Sequence, residues 1–479
     1  MHREGFGPPF FMGARVGRRR ANPFQTVTSD TELASLCSNS YRPKGARLSR
    51  VARPAAADLP LFAVDTALHS ANNGFVLISA ALVLMMTPAL ALFYAGFVRS
   101  RNVLNTMVMS FAAMGLVSVL WVLFGYSLAF SPGSGPLAPF IGGLQWAGLS
   151  NWSAPYGDGQ LSHGAVAFFQ LTFAIITPAL ISGAVVERMN FRAWLAFVIL
   201  WSTFVYLPLA HMVWGPGGFL GPEGLGALDF AGGLVVEMAS GVGAAVTAAV
   251  VGRRRNYPEH NAPPHNVPFI LLGAGLLWFG WFGFNGGSGL VAGNLASLAC
   301  LTTNTAGAAA ALGWMVMETL QRGKPTAVGV ATGAVAGLVA ITPAAGFVSP
   351  LGALVIGFVA AVLCNLALQL KNRSHLDDSL DVLPVHGVAG LLGILLTGLL
   401  ALKAVNPAGA DGLLAGNPAQ FLIQLKAAGF TLLWVGVGTF VILQVLRMLM
   451  PLRASDAEER QGLDINAHGE EAYNSEFTL

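Results

Sequence analysis

From residue 61 onward the chain alternates long apolar runs with short polar breaks. Eleven runs are long enough for a bilayer-crossing helix, which takes roughly twenty residues. They span 74–97, 104–129, 164–186, 193–214, 229–251, 267–286, 293–319, 325–343, 349–370, 381–403 and 422–448. A transmembrane barrel would show weak alternating segments of about ten residues instead. The pattern therefore predicts an all-α polytopic membrane protein with eleven transmembrane helices. It also divides the chain into a leader at 1–60, a membrane domain at 61–449 and a polar tail at 450–479.

Composition supports this class. Of the 479 residues 54% are apolar and 10% charged, against about 25% charged in soluble domains, and the mean hydropathy is +0.63. The 58 glycines have no three-residue period, and spacings such as Gly333 to Gly337 fit close helix packing. The leader holds ten Lys/Arg and four Asp/Glu. Its Arg18, Arg19 and Arg20 lack the interleaved aromatic residues of a nucleic-acid surface, so it reads as a targeting segment, a disordered tail or an overextended start. Cys37, Cys300 and Cys364 have no metal-like spacing.

Basic residues in short loops mark the cytoplasmic side. Placing the start of the first span outside puts fourteen of the sixteen Lys/Arg beyond residue 60 inside, whereas the loops at 131–163 and 215–228 carry none. The expected topology has the N-terminus outside and the C-terminus in the cytoplasm.

An ionisable side chain at the centre of a membrane helix costs roughly 2.5–3.5 kcal/mol on insertion scales. Two lie deep in the apolar runs, Glu237 and His386, while Asp229, His211, His163 and Glu318 lie at span ends. Glu237 in LVVEMASG and His386 in LPVHGVAG each precede a glycine by four residues. These segments fall in the fifth and tenth spans, so they read as an inverted five-plus-five repeat with one extra helix. Such repeats place a site at their interface. Phe169 and Phe173 share a helix face, Phe284 lies near the end of WFGWFGFN, Ser288 follows that run and Trp214 closes the fourth span. His260 and His265 form either a metal pair or a solvated turn. No nucleophile elbow, phosphate loop or zinc-spaced motif appears, and no enzyme or cofactor is expected.

Eight segments in this order resemble the ammonium transporter family (Amt/Mep/Rh): ALFYAGFVRSRNVL, AFFQLTFA, GAVVER, AHMVWG, ALDFAGG, GWFGFN, DVLPVHG and GLDINAHGEEAYN. The resemblance implies a homotrimer in the cell inner membrane, with an apolar pore in each subunit. It implies that Trp214, Phe169 and Ser288 recruit ammonium, supported by Asp229, and that Phe173 and Phe284 gate the pore. Glu237 and His386 would relay a proton, with Glu237 standing where most bacterial members have histidine and some fungal members have glutamate. Gly462, Asp464, Asn466, His468 and Gly469 match a regulatory tail packed beneath the pores. A PII-type signalling protein is the partner the resemblance implies at the cytoplasmic face. Two other readings of the same residues are an ammonium sensor and a passive ammonia channel.

Overall fold

The computed structural model describes residues 61–255, 257 and 263–473, with side chains from residue 69. The leader and His260 lie outside the described residues. The membrane domain is helical: α1 His69–Phe97, α2 Ser100–Phe130, α3 His163–Ser182, α4 Phe191–Trp214, α5 Gly233–Val251 and α6 Val267–Gly286. There follow α7 Asn294–Arg322, α8 Ala327–Ile341, α9 Pro350–Arg373, α10 Leu383–Leu400 and α11 Pro418–Leu449. The tail adds α12 Asp456–Gln461 and α13 Leu463–His468. The α2–α3 loop contains one two-stranded hairpin, Pro155–Tyr156 with Leu161–Ser162.

Ten helices among the described residues are long and apolar enough to cross a membrane, and α8 is a shorter apolar one. At 1.5 Å per residue, the 15 residues of α8 extend about 22 Å, less than a hydrocarbon core of about 30 Å. Its residues from Ala331 through Ile341 are buried, as are Thr342 and Ala344 beyond it, so protein rather than lipid surrounds it. A β-carbon on Gly333 would meet the Trp314 side chain at 2.4 Å, and one on Gly337 would meet the Ala306 carbonyl at 2.5 Å. These small residues let α8 lie directly against α7.

Three buried indoles tie helices together by pairing their N–H groups across the apolar interior. Trp121 donates to the Ala167 carbonyl, Trp194 to that of Met109 and Trp201 to Thr439 Oγ1.

The direction of the two repeat helices follows from hydrogen bonds. Leu380 N, just before α10, donates to the Gly183 carbonyl at the end of α3. The α5 approach instead holds Trp214, whose Nε1 donates to the Asp229 carbonyl, and Trp214 shares a cavity with His163 at the start of α3. Helices α5 and α10 thus enter from opposite ends of α3, as an inverted repeat requires.

Candidate functional site

Asp229 precedes Glu237 by eight residues, and Asp378 precedes His386 by the same spacing. The Asp229 carboxylate accepts from the amides of Gly232, Gly233 and Leu234 at 2.6–2.8 Å. Asp378 Oδ2 accepts from Leu383 N at 2.7 Å. Each carboxylate satisfies free N–H groups at a helix start, where the helix dipole also favours negative charge. The repeat is therefore longer than its glutamate, histidine and glycines suggest.

Both helices open in a π-helical turn, Gly233–Met238 and Leu383–Val388. Glu237 and His386 sit within these turns, nearer the helix starts than the apolar runs imply. Of three further π turns among the described residues, Phe282–Gly286 carries Phe284, and the others, Trp121–Gly125 and Ser202–Tyr206, lie within α2 and α4. Wider turns of this kind re-aim side chains and are frequent at functional sites.

Glu237 Oε2 lies 2.8 Å from His386 Nδ1, and both residues are buried. Glycine makes this approach possible. A β-carbon on Gly241 would fall 2.0 Å from Gly387 N, and one on Gly390 would fall 3.0 Å from Glu237 Cβ. Gly241→Ala is therefore expected to force α5 and α10 apart and lower stability by roughly 1–3 kcal/mol, the usual cost of overpacking. Thermal unfolding of the purified variant would measure this, and an unchanged midpoint would contradict the contact.

The pair lines a cavity of about 10 Å³ with Leu90, Ile176, Trp281 and Phe284. That is space for on the order of one water-sized molecule, with mostly apolar walls. Phe284 and Phe173 stack with centroids 4.1 Å apart and planes within 16°. Phe173 also contacts Phe169 at 4.9 Å and Trp214 at 6.0 Å. The four rings form one connected group, and stacked Phe173 and Phe284 leave no gap between them.

A β-carbon on Gly287, next to Ser288, would meet the Phe169 ring at 2.7 Å. Ser288 Oγ donates to the Phe284 carbonyl at 2.8 Å, leaving its lone pairs as acceptors. The Asp229 carboxylate is directed to the α5 amides, so its link to Trp214 is through its backbone carbonyl. The other residues at span ends have local partners. His211 lies between the Ala129 and Ala138 carbonyls, and Glu318 accepts from Thr326 at the start of α8. His265 contacts the Val98 carbonyl and Tyr473 Oη.

The tail packs against the end of the molecule where the basic residues collect. Buried Arg188 donates to the carbonyls of Gly252 and Asp377 and to Ser379 Oγ. Arg254 pairs with Asp377 and Glu187, and Glu187 pairs with Arg99. The chain after α11 joins this network through Ala454 N to the Arg188 carbonyl and Arg453 Nη1 to the Arg253 carbonyl. Asp464 accepts from Leu104 N and Asn105 N, while His468 contacts Asn105 and the Phe191 ring. Gly462, at φ +112°, lets the chain pass Arg101. Asn466 donates to the Gly462 carbonyl, and Gly469 ends α13 with φ +70°.

The Ammonium Transporter Family profile matches residues 74–473. An ammonium transporter of Bacillus subtilis is 48% identical over 402 residues, covering 83% of this chain and 97% of the relative. An Aquifex aeolicus ammonium transporter is 47% identical over 419 residues, covering 86% and 96% respectively. The crystal structure of Saccharomyces cerevisiae Mep2 superposes with a TM-score of 0.77 at 37% identity, covering 86% of this chain and 93% of that one. A structure titled Sensor Amt Protein gives a TM-score of 0.77 at 27% identity, covering 84% and 100%. With the profile spanning nearly the whole membrane domain and tail, and these relatives sharing both sequence and fold, the chain belongs to the Ammonium Transporter Family.

Proposed function

We propose that this protein is an ammonium transporter that recruits ammonium at Trp214, Phe169 and Ser288, deprotonates it and conducts ammonia and a proton by separate means. The observation that carries this reading is the 2.8 Å Glu237–His386 contact in an apolar cavity below the stacked rings. An isolated ion in that cavity would lose its hydration without compensation, whereas neutral ammonia loses far less. Aromatic faces and Ser288 Oγ replace part of the ammonium ion's hydration before the proton leaves.

Glu237 enters from the Trp214 end and His386 from the opposite end, which sets an order. An ammonium N–H bond breaks as its proton binds the Glu237 carboxylate. Glu237 passes a proton to His386 Nδ1, and Nε2 releases one to the far side. Each transfer conserves charge, and ammonia crosses the narrow cavity. The test is current recording from proteoliposomes given ammonium pulses. Current that follows the ammonium gradient is expected; uptake without current would support a passive ammonia channel, and specific binding without flux would support a sensor. The structural relative titled Sensor Amt Protein motivates that last reading.

In the same proposal the protein is a homotrimer of the cell inner membrane, with its N-terminus outside and its C-terminus cytoplasmic. The basic residues gathered at the tail end support this orientation. The tail couples subunits and meets a PII-type protein. Burial lowers the pKa of His468 from its ordinary value of 6.5. At His468 the docked tail therefore binds fewer protons than the free tail, which weakens docking as pH falls below about 6.5, while burial raises the pKa of Asp464 and acts in the opposite sense at lower pH. Limited proteolysis should cut after residue 455 faster at pH 5.5 than at 7.5. His468→Asn should flatten that difference.

A further inference from the structure

A second cavity lies beside Trp214 and is distinct from the pore. Its volume is about 410 Å³, within the ~300–1,000 Å³ range of small-molecule sites. Its lining includes Trp146, Tyr156, Phe130, His163, Trp214 and Glu223. Neither Phe173, Phe284 nor Ser288 lines it.

The walls are held in place by aromatic packing. Tyr126 stacks on Trp146 at 5.9 Å, and Trp146 meets the His163 ring at 4.6 Å. Tyr156 meets the same ring from the hairpin at 5.1 Å. Tyr126 Oη contacts His163 Nδ1 at 2.7 Å, fixing the imidazole between the two aromatic walls. Glu223 Oε2 accepts from Gly217 N at 2.8 Å, which holds a carboxylate at the rim. The loops that form the cavity, 131–163 and 215–228, contain Asp158 and Glu223 but no Lys or Arg. The local charge therefore favours a cation.

We propose that this vestibule binds small quaternary ammonium cations, with Trp146, Tyr156 and Trp214 as its walls and Glu223 as the counter-charge. Aromatic cages recognise such ions through the ring quadrupole. A quaternary cation has no N–H to offer Ser288 and is too wide for the stacked Phe173–Phe284 pair, so it occupies the vestibule without crossing. Because Trp214 also belongs to the ring group above the pore, the bound cation competes with ammonium. That competition rests on the proposed recruiting role of Trp214; binding itself does not.

Isothermal titration of the purified full chain with tetramethylammonium chloride, against matched sodium chloride, tests the site. Saturable binding is expected. Trp146→Leu should weaken it about tenfold, while Trp146→Phe keeps a ring and should stay within about threefold. Glu223→Gln should weaken it by a few-fold, less so at high salt, and this exposed position gives a second test if Trp146→Leu fails to fold. Absence of saturable heat, or binding that survives Trp146→Leu and Glu223→Gln but is lost in Ser288→Ala, overturns the proposal. Ammonium current without tetramethylammonium binding removes the vestibule site alone. Tetramethylammonium binding without ammonium current removes the transport reading and leaves the site.

Discussion

Glu237→Gln is expected to lower ammonium current at least about a hundredfold, the scale on which a positioned proton-transfer group acts. Glutamine keeps the size of the side chain and a hydrogen bond to His386, so the buried contact at 2.8 Å is preserved in kind. It cannot take up and release a proton near neutral pH. A purely structural pair would tolerate the exchange with little change in flux. Proteoliposome currents, normalised to reconstituted protein and accompanied by thermal unfolding, separate the two. Glu237→His should retain current with an altered pH profile, because imidazole also exchanges protons near neutrality. His386→Ala should abolish coupled transport, even if water enters the enlarged cavity and ions leak. Wild-type current and pH dependence in folded Glu237→Gln would eliminate Glu237 as an obligatory carrier.

How far the sequence foretells this arrangement depends on the cost of each feature. Glu237 and His386 stand out because ionisable groups in apolar runs are expensive and are kept for a reason. Their shared spacing to Gly241 and Gly390 also reveals the repeat. Asp378 escapes that reading because it lies before the tenth apolar run, although its spacing to His386 equals that of Asp229 to Glu237. Only the hydrogen bonds identify both aspartates as helix caps. The π turns at Glu237, Phe284 and His386 leave no mark in hydropathy, which reports burial and not helical pitch.

The eighth apolar run exposes a related ambiguity. Apolarity alone does not distinguish a helix facing lipid from one enclosed by protein, but the Gly- and Ala-rich AVGVATGAVAGLVAI of α8 carries the second signal. Trp146 and Tyr156 lie in a loop with no periodic pattern, so their convergence on His163 emerges from the fold.

Trp214→Leu combined with Phe169→Ala is expected to reduce discrimination between ammonium and potassium about tenfold. The reasoning starts from Asp229, whose carboxylate is occupied by three backbone amides and is not turned to an incoming ion. Selectivity in the proposed recruiting site therefore falls to ring faces and to Ser288 Oγ. Potassium has no N–H to donate to that oxygen, and each lost cation–π contact is worth roughly 0.5–2 kcal/mol. Phe169 also packs against Phe173, so its removal has a structural cost of about 3–5 kcal/mol, typical of a large-to-small core change. Size-exclusion profiles and thermal unfolding must accompany the measurement, and Trp214→Leu alone, at a half-buried position, provides the milder case. Ion-replacement currents at equal protein density give the ratio directly. If the double variant folds and still rejects potassium as the wild type does, ammonium is selected elsewhere in the pore, and the aromatic recruiting site is wrong.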